Sequence, residues 1–80
     1  MNNLFFTGQI CLFPFDFVPT NFYKCDGQTL QTVTHLPLYS LIANKYGGDE
    51  TFFLLPDLTS LAPQGCAYYI CYNGHYPEKD

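Results

Sequence analysis

Turn-forming residue pairs interrupt this sequence before any of its apolar segments becomes long. Asp-Gly stands at 26–27, Gly-Gly at 47–48, Pro-Asp at 56–57 and Asn-Gly at 73–74. Each pair favours a reversal of the chain, because glycine adopts positive φ angles, proline fixes φ, and aspartate or asparagine bonds to nearby backbone amides. This spacing leaves room for short strands and one short helix. It therefore predicts the α+β class, as a small, mostly β domain.

Four apolar segments have the composition of strands. They are GQICLFPFDF at 8–17, FYKC at 22–25, TFFLL at 51–55 and CAYYICYNG at 66–74. In the first segment Cys11 and Phe13 alternate with Ile10 and Leu12, so apolar side chains occupy both faces. We expect both faces of that strand to be largely covered and the strand to be interrupted at Pro14.

The segment HLPLYSLIANKY at 35–46 carries the helical periodicity of the chain. Three of its apolar residues share one helical face: Leu38, Leu41 and Ile42. Thr34 is placed to act as the N-cap, and Pro37 is acceptable in a first turn. Gly47 follows the last periodic residue, where we expect it to act as the C-cap.

The composition is more apolar than a small monomer requires. Of the 80 residues, 48% are hydrophobic, 19% are aromatic and 12% are charged. We expect one domain over residues 1–80, and a domain of this size buries only about 60% of the surface of its unfolded chain. Contacts between copies would bury more apolar surface, so we expect a homo-oligomer. A dense aromatic core within a monomer is the alternative.

The charge balance argues against several classes of partner. The net charge is −4 and the chain has three lysines and no arginine, whereas nucleic-acid-binding proteins cluster both residues. We therefore expect neither nucleic acid nor a membrane surface as a partner. No apolar run reaches the roughly 18 residues of a membrane span. The start MNNLFFTGQICLF lacks the features of a secretory signal, so we expect a cytoplasmic location.

The cysteines and histidines give little indication of metal binding or catalysis. The cysteines allow three disulfide pairings, but free thiols are expected in a cytoplasm: Cys11, Cys25, Cys66 and Cys71. The spacing of Cys66, Cys71 and His75 is wider than that of the C-x2-C pairs of structural zinc sites. No nucleophile motif G-x-S-x-G and no phosphate-binding loop occurs. We expect no metal, no cofactor and no enzymatic activity.

Three blocks of residues follow the order and spacing of a known family. They are Gly8-Gln9-Ile10 with Phe13, Pro19 with Cys25-Asp26-Gly27, and Tyr46-Gly47-Gly48-Asp49 with Leu55-Pro56-Asp57-Leu58. On these residues the chain resembles the phage tail collar domain, a family that includes microcystin-dependent-protein-like sequences. The resemblance implies a collar-like fold that forms trimers. It also implies structural turns at six positions: Asp26, Gly27, Gly47, Gly48, Pro56 and Asp57.

The sequence departs from the family pattern at several positions. Asn21-Phe22 stands where the family has Gly-Trp, and Thr59-Ser60 stands where it has Arg-Gly. Longer relatives carry a further segment after that Arg-Gly, where this chain has only the short loop LAPQG at 61–65. We interpret the chain as a minimal, stand-alone collar domain that lacks an adhesive tip.

The aromatic residues are more numerous than one small core needs, which suggests a ligand site. The candidate ligand-binding residues combine rings for stacking with lysines for phosphate: Phe22, Tyr23, Lys24, Lys45, Tyr69, Tyr72 and Tyr76. For each aromatic residue, packing in the core or between subunits is the competing interpretation. Our main hypothesis is a phage- or prophage-encoded oligomer that sequesters a small nucleotide-like immune signal in the host cytoplasm. The alternatives are a structural tail or tail-fibre collar protein of the virion and an inhibitor of a host protein.

Overall fold

The computed structural model describes residues 4–78, which form two small antiparallel sheets and a short helix. The strands are β1 Ile10–Phe13, β2 Phe22–Lys24, β3 Thr29–Gln31, β4 Phe52–Leu54 and β5 Ala67–Cys71. Helix α1 spans Leu36–Ile42 and comes shortly after a 3₁₀ turn at Thr32–Thr34. The predicted mostly β class with a short helix is confirmed for this part of the chain.

Strand β5 lies at the centre of the larger sheet, whose order is β1-β5-β2. Both neighbours run antiparallel to it, with Cys11 opposite Tyr69 on one side and Tyr23 opposite Ile70 on the other. The second sheet pairs β3 with β4 and places Leu30 opposite Phe53. The larger sheet therefore joins segments that are far apart in sequence, while the smaller one joins the two segments that flank the helix.

The larger sheet has a hydrophobic cluster on each face. The main core consists of buried residues from both sheets, the helix and two turns: Cys25, Leu30, Leu38, Phe53, Leu55 and Ile70. The second core consists of Phe22, Tyr69 and Cys71. Because side chains alternate along a strand, the neighbours Tyr69 and Ile70 on β5 belong to different cores. Both faces of the central strand are thereby buried.

Helix α1 begins differently from the prediction. Thr34 is not its N-cap, because it lies in the preceding 3₁₀ turn and its hydroxyl donates to the Gln31 carbonyl oxygen at 3.1 Å. His35 holds the N-cap position without a capping hydrogen bond from its side chain. Pro37 lies in the first turn of the helix, as predicted.

The helix also ends earlier than predicted. The Ala43 amide donates to the Tyr39 carbonyl oxygen at 2.7 Å, and Ala43 itself has a φ of 47°. A positive φ cannot continue a right-handed helix, so α1 stops at Ile42 and Gly47 is not its C-cap. Gly47 instead has a φ of 124° in the turn that leads toward β4.

The first strand is shorter and less covered than predicted. Of the segment 8–17 only β1 is a strand, and it ends immediately before Pro14, which cannot donate to a strand ladder. The prediction that both of its faces are covered is wrong, because Ile10 and Leu12 are 40% and 41% exposed. Strand β3 was not predicted, since its short sequence TLQ has no apolar alternation.

Candidate functional site

Two of the predicted structural turns lie side by side. Asp26 and Asp57 form an antiparallel bridge between the Cys25-Asp26-Gly27 turn and the Pro56-Asp57 turn. The Leu58 amide donates to the Cys25 carbonyl oxygen at 2.9 Å and closes this pairing. Two sequence blocks that are thirty residues apart therefore build one structural unit at the end of β2.

The carboxylates of these turns bond to nearby groups of their own segments. Oδ1 of Asp57 accepts from the Thr59 hydroxyl at 2.7 Å and from the Thr59 amide at 3.2 Å. These bonds, the hydroxyl bond above all, lower the pKa of Asp57 below its ordinary value. Oδ1 of Asp26 accepts from the Gln28 amide at 3.2 Å. Both carboxylates serve as turn acceptors.

The Gly47-Gly48 pair forms the third predicted turn. Gly48 has a φ of 92°, and a Cβ at this position would collide with the carbonyl oxygen of Phe52. Oδ1 of Asp49 accepts from the amides of Thr51 and Phe52 at 2.9 Å and 3.0 Å. These backbone donors lower the pKa of the Asp49 carboxyl. Glycine and aspartate together hold the tight entry into β4.

A family model for the phage tail collar domain matches residues 8–68 of the chain. The chain belongs to the phage tail collar domain family. The three turns described above belong to two of the three sequence blocks that resemble the family, and in this collar domain they shape the fold around the main core. No curated protein matches the chain.

Two predicted ligand-binding residues of the collar domain lie in its interior. Phe22 is 3% exposed and Tyr69 is 2% exposed, and both belong to the second core. A ring that is buried on all sides has no face on which a ligand can stack. We therefore correct the prediction for Phe22, whose ring serves packing, whereas Tyr69 packs in the second core and also lines the cleft described below.

Tyr23 and Tyr72 are the predicted ligand-binding residues that contact each other. Their rings stack with centroids 4.3 Å apart, and both pack against the main core. The Tyr23 hydroxyl lies 2.9 Å from Nε2 of His35. Nδ1 of the same ring lies 2.9 Å from the Thr34 hydroxyl and 3.0 Å from the Gln31 carbonyl oxygen, so both ring nitrogens have a polar partner. His35 is half-buried in this cluster.

Tyr76 and Lys45 lie apart from that cluster. The Tyr76 hydroxyl bonds to the Ser40 hydroxyl on helix α1 at 2.6 Å. The Lys45 ammonium lies over the Tyr46 ring, 5.8 Å from its centroid. The seven predicted residues therefore do not converge on one site.

Two predicted ligand-binding residues, Lys24 and Tyr69, line a cleft. The cleft, called here the Lys24 cleft, has two lobes that share Lys24, Cys66 and Ala67 as walls. The larger lobe has a volume of about 270 Å³ and is also lined by loop residues before β2: Phe15, Asp16 and Val18. The smaller lobe measures about 80 Å³ and extends toward Thr59 and Cys25. No sequence pattern marked Phe15, Asp16 or Cys66, because separate loops bring them together.

The thiols of the described chain are free. Burial, followed by the charge of Asp26, raises the pKa of Cys25 to about 11, so this thiol stays protonated at neutral pH. Burial also raises the pKa of Cys11 and of Cys71. Among residues 4–78 no three His, Cys, Asp or Glu side chains are grouped to hold a metal ion. Within the same residues no helix has the length and apolar character of a membrane span.

Proposed function

We propose that this protein is a structural part of a phage tail or tail fibre, where it acts as a homo-oligomer in virion assembly or host attachment. The family match over residues 8–68 carries the proposal. The paired turns at Asp26 and Asp57 support it, because their carboxylates are engaged in holding the chain. We propose no enzymatic role, and we place the protein in the virion tail rather than free in the host cytoplasm.

The edge of β1 is the surface that we propose for contacts between subunits. β1 pairs with β5 on one side only, so its other edge is open in the described chain. Ile10 and Leu12 project from this strand with about two fifths of their surface exposed. An apolar, unpaired edge strand is a ready template for pairing with another chain. The family resemblance makes a trimer the expected assembly.

The experiment combines particle analysis with native mass spectrometry. We expect purified particles of the phage that encodes the protein to contain it at a fixed ratio to the other tail proteins. We expect the wild-type protein to be oligomeric and Leu12→Lys to be monomeric, because an edge lysine blocks strand pairing. Thr20→Lys, which introduces a lysine in an exposed turn instead, should remain oligomeric.

Each part of the proposal has its own contradicting result. Absence of the protein from intact particles would contradict the virion role. A monomeric wild-type protein would contradict the homo-oligomer. An oligomer that persists in Leu12→Lys would contradict β1 as the contact surface.

Sequestration of a nucleotide-like signal is the second hypothesis and ranks below the structural role. It depends on seven residues that do not converge on one site: Phe22 is buried, and Lys24 and Tyr69 line the Lys24 cleft. The observation that supports the sequestration hypothesis is the Lys24 cleft. Depletion of a signal from extracts of immune-activated cells by the purified protein would favour it over the virion role.

A further inference from the structure

Two opposite charges line the larger lobe of the Lys24 cleft. The Lys24 ammonium and the Asp16 carboxylate both border this lobe. Within residues 4–78 neither side chain makes a hydrogen bond or an ion pair, with the other or with a third residue. A cavity lined by both a cation and an anion favours a ligand that carries both an anionic group and an N–H donor.

The rest of the lobe is apolar or small. Phe15 and Val18, from the loop before β2, line it together with Ala67 and Tyr69 of β5. The volume of about 270 Å³ is near the lower end of small-molecule pockets, which start at about 300 Å³. A single ring system with a short charged substituent is therefore the appropriate size.

We propose that the Lys24 cleft binds a small ligand that has an anionic group, an N–H donor and a compact ring. The anionic group lies against the Lys24 ammonium, and the N–H group donates to the Asp16 carboxylate. The ring lies along Phe15 and Val18. Mononucleotides and aromatic α-amino acids share this chemistry. The proposal goes beyond the structural role and does not depend on it.

Cys66 supplies a local readout of occupancy. Its half-buried thiol lines both lobes, whereas Cys25 and Cys71 are buried. A ligand in the cleft should slow alkylation of Cys66 by iodoacetamide, measured by peptide mass spectrometry on the whole protein. The probes are AMP and L-tryptophan, each titrated to millimolar concentration, and chemical-shift titration gives the Kd. We expect at least one probe to protect Cys66 in a saturable manner.

Variants of the two charged residues test the assignment. Lys24→Ala should weaken binding about tenfold, because it removes a charge-assisted contact. Asp16→Asn should weaken binding as well, since the amide accepts less strongly than the carboxylate. Lys45→Ala is the matched control, because Lys45 lies over Tyr46 outside the cleft, and it should bind as the wild type does.

The outcomes distinguish the two ligand classes from each other and from a failure of the proposal. Protection by AMP alone assigns the site to nucleotides, and protection by L-tryptophan alone assigns it to amino acids. No protection by either probe, or equal binding in Lys24→Ala and wild type, overturns the proposal. Tighter binding in Asp16→Asn also overturns it, because the site would then accept a simple anion. None of these results changes the expected presence of the protein in phage particles, so the two proposals fail independently.

Discussion

The two faces of the larger sheet are covered in different ways. Regular elements cover the main core: helix α1 contributes Leu38 and strand β4 contributes Phe53, and both side chains are 0% exposed. Aromatic rings cover the second core: Phe22 makes edge-on contacts with Phe5 at 5.1 Å and Phe13 at 5.6 Å. The main core is therefore covered by a helix and a strand, which have regular backbone hydrogen bonds. The second core is covered by aromatic rings, some of which belong to irregular segments.

The segment after β1 continues the aromatic cover of the second core. Phe13 stacks on Phe15 with centroids 5.0 Å apart, and Phe15 stacks on Phe17 at 4.4 Å. Phe17 is 61% exposed and ends the series at the surface. Stacked rings can shift together with little loss of contact, whereas a helix and a sheet cannot. We therefore expect the second core to adapt to substitutions better than the main core.

Replacement of one phenylalanine in each core tests this difference. Phe53→Ala should lower the free energy of unfolding by about 3–5 kcal/mol, since the rigid elements around it leave a cavity. Phe22→Ala should lower the free energy of unfolding less, by about 3 kcal/mol, because the rings of Phe5 and Phe13 can move into the space. Urea unfolding followed by far-ultraviolet circular dichroism measures both, as the chain has no tryptophan.

Phe52→Ala serves as the control for those two variants. Phe52 is next to Phe53 on β4 but is 48% exposed, so its removal should cost about 1 kcal/mol or less. Equal costs for Phe53→Ala and Phe22→Ala would contradict the comparison, because the second core would then be as rigid as the main one.

Alanine substitution should also cost more stability in the glycine turn beside the main core than in the glycine turn beside the Lys24 cleft. Gly48→Ala, at the entry to β4, should destabilise by more than about 2 kcal/mol, because φ is positive and the added Cβ meets backbone. Gly65→Ala, in the loop of the Lys24 cleft, should cost about 1–2 kcal/mol, since φ is also positive but the space is open. Thermal unfolding of the two variants gives the comparison. A larger cost for Gly65→Ala would reverse our ranking of the two sides.

Local chemistry explains which parts of the fold could be predicted from sequence. The Asp-Gly, Gly-Gly and Pro-Asp pairs specify their turns through φ preferences and side-chain acceptors, so these turns and strands β2, β4 and β5 were predictable. Strand β3, TLQ, has one apolar residue, Leu30, between two polar ones, which is too short a pattern to indicate a strand, and it forms by pairing with β4. Helix α1 ends at Ile42 because Ala43 has a positive φ, of which its residue type gives no sign. These features depend on tertiary contacts.

The candidate site was harder to predict for the same reason. Phe22 and Tyr69 are aromatic like Tyr23 and Tyr72, and only the covering of the second core shows that they are buried. The Lys24 cleft joins loop residues near 16 and near 65 that no periodicity connects. The sequence predicts Lys24 and Tyr69 of this cleft, because a lysine and a tyrosine near other aromatic residues are recognisable by residue type.

Acid should weaken the Asp57 turn, which supports the main core. The folded-state pKa of Asp57 lies below its ordinary value of 3.8, with the Thr59 hydroxyl bond as the main cause. A lowered pKa stabilises the fold above the unfolded pKa, and this contribution is lost as pH falls through the folded pKa. Stability should therefore decrease as pH falls below about 5, and Asp57→Asn should show a shallower decrease.

Thr59→Val tests that cause directly. It removes the hydroxyl that donates to Asp57 but keeps the backbone amide donor at 3.2 Å. The pKa of Asp57, measured by NMR titration of its carboxyl carbon, should rise toward the ordinary value in this variant. Asp49 is an internal control, because its donors are the amides of Thr51 and Phe52 and its lowered pKa should not change. A wild-type Asp57 that titrates at or above 3.8 would contradict this account, because the charge of the Asp57 carboxylate would then not stabilise the turn.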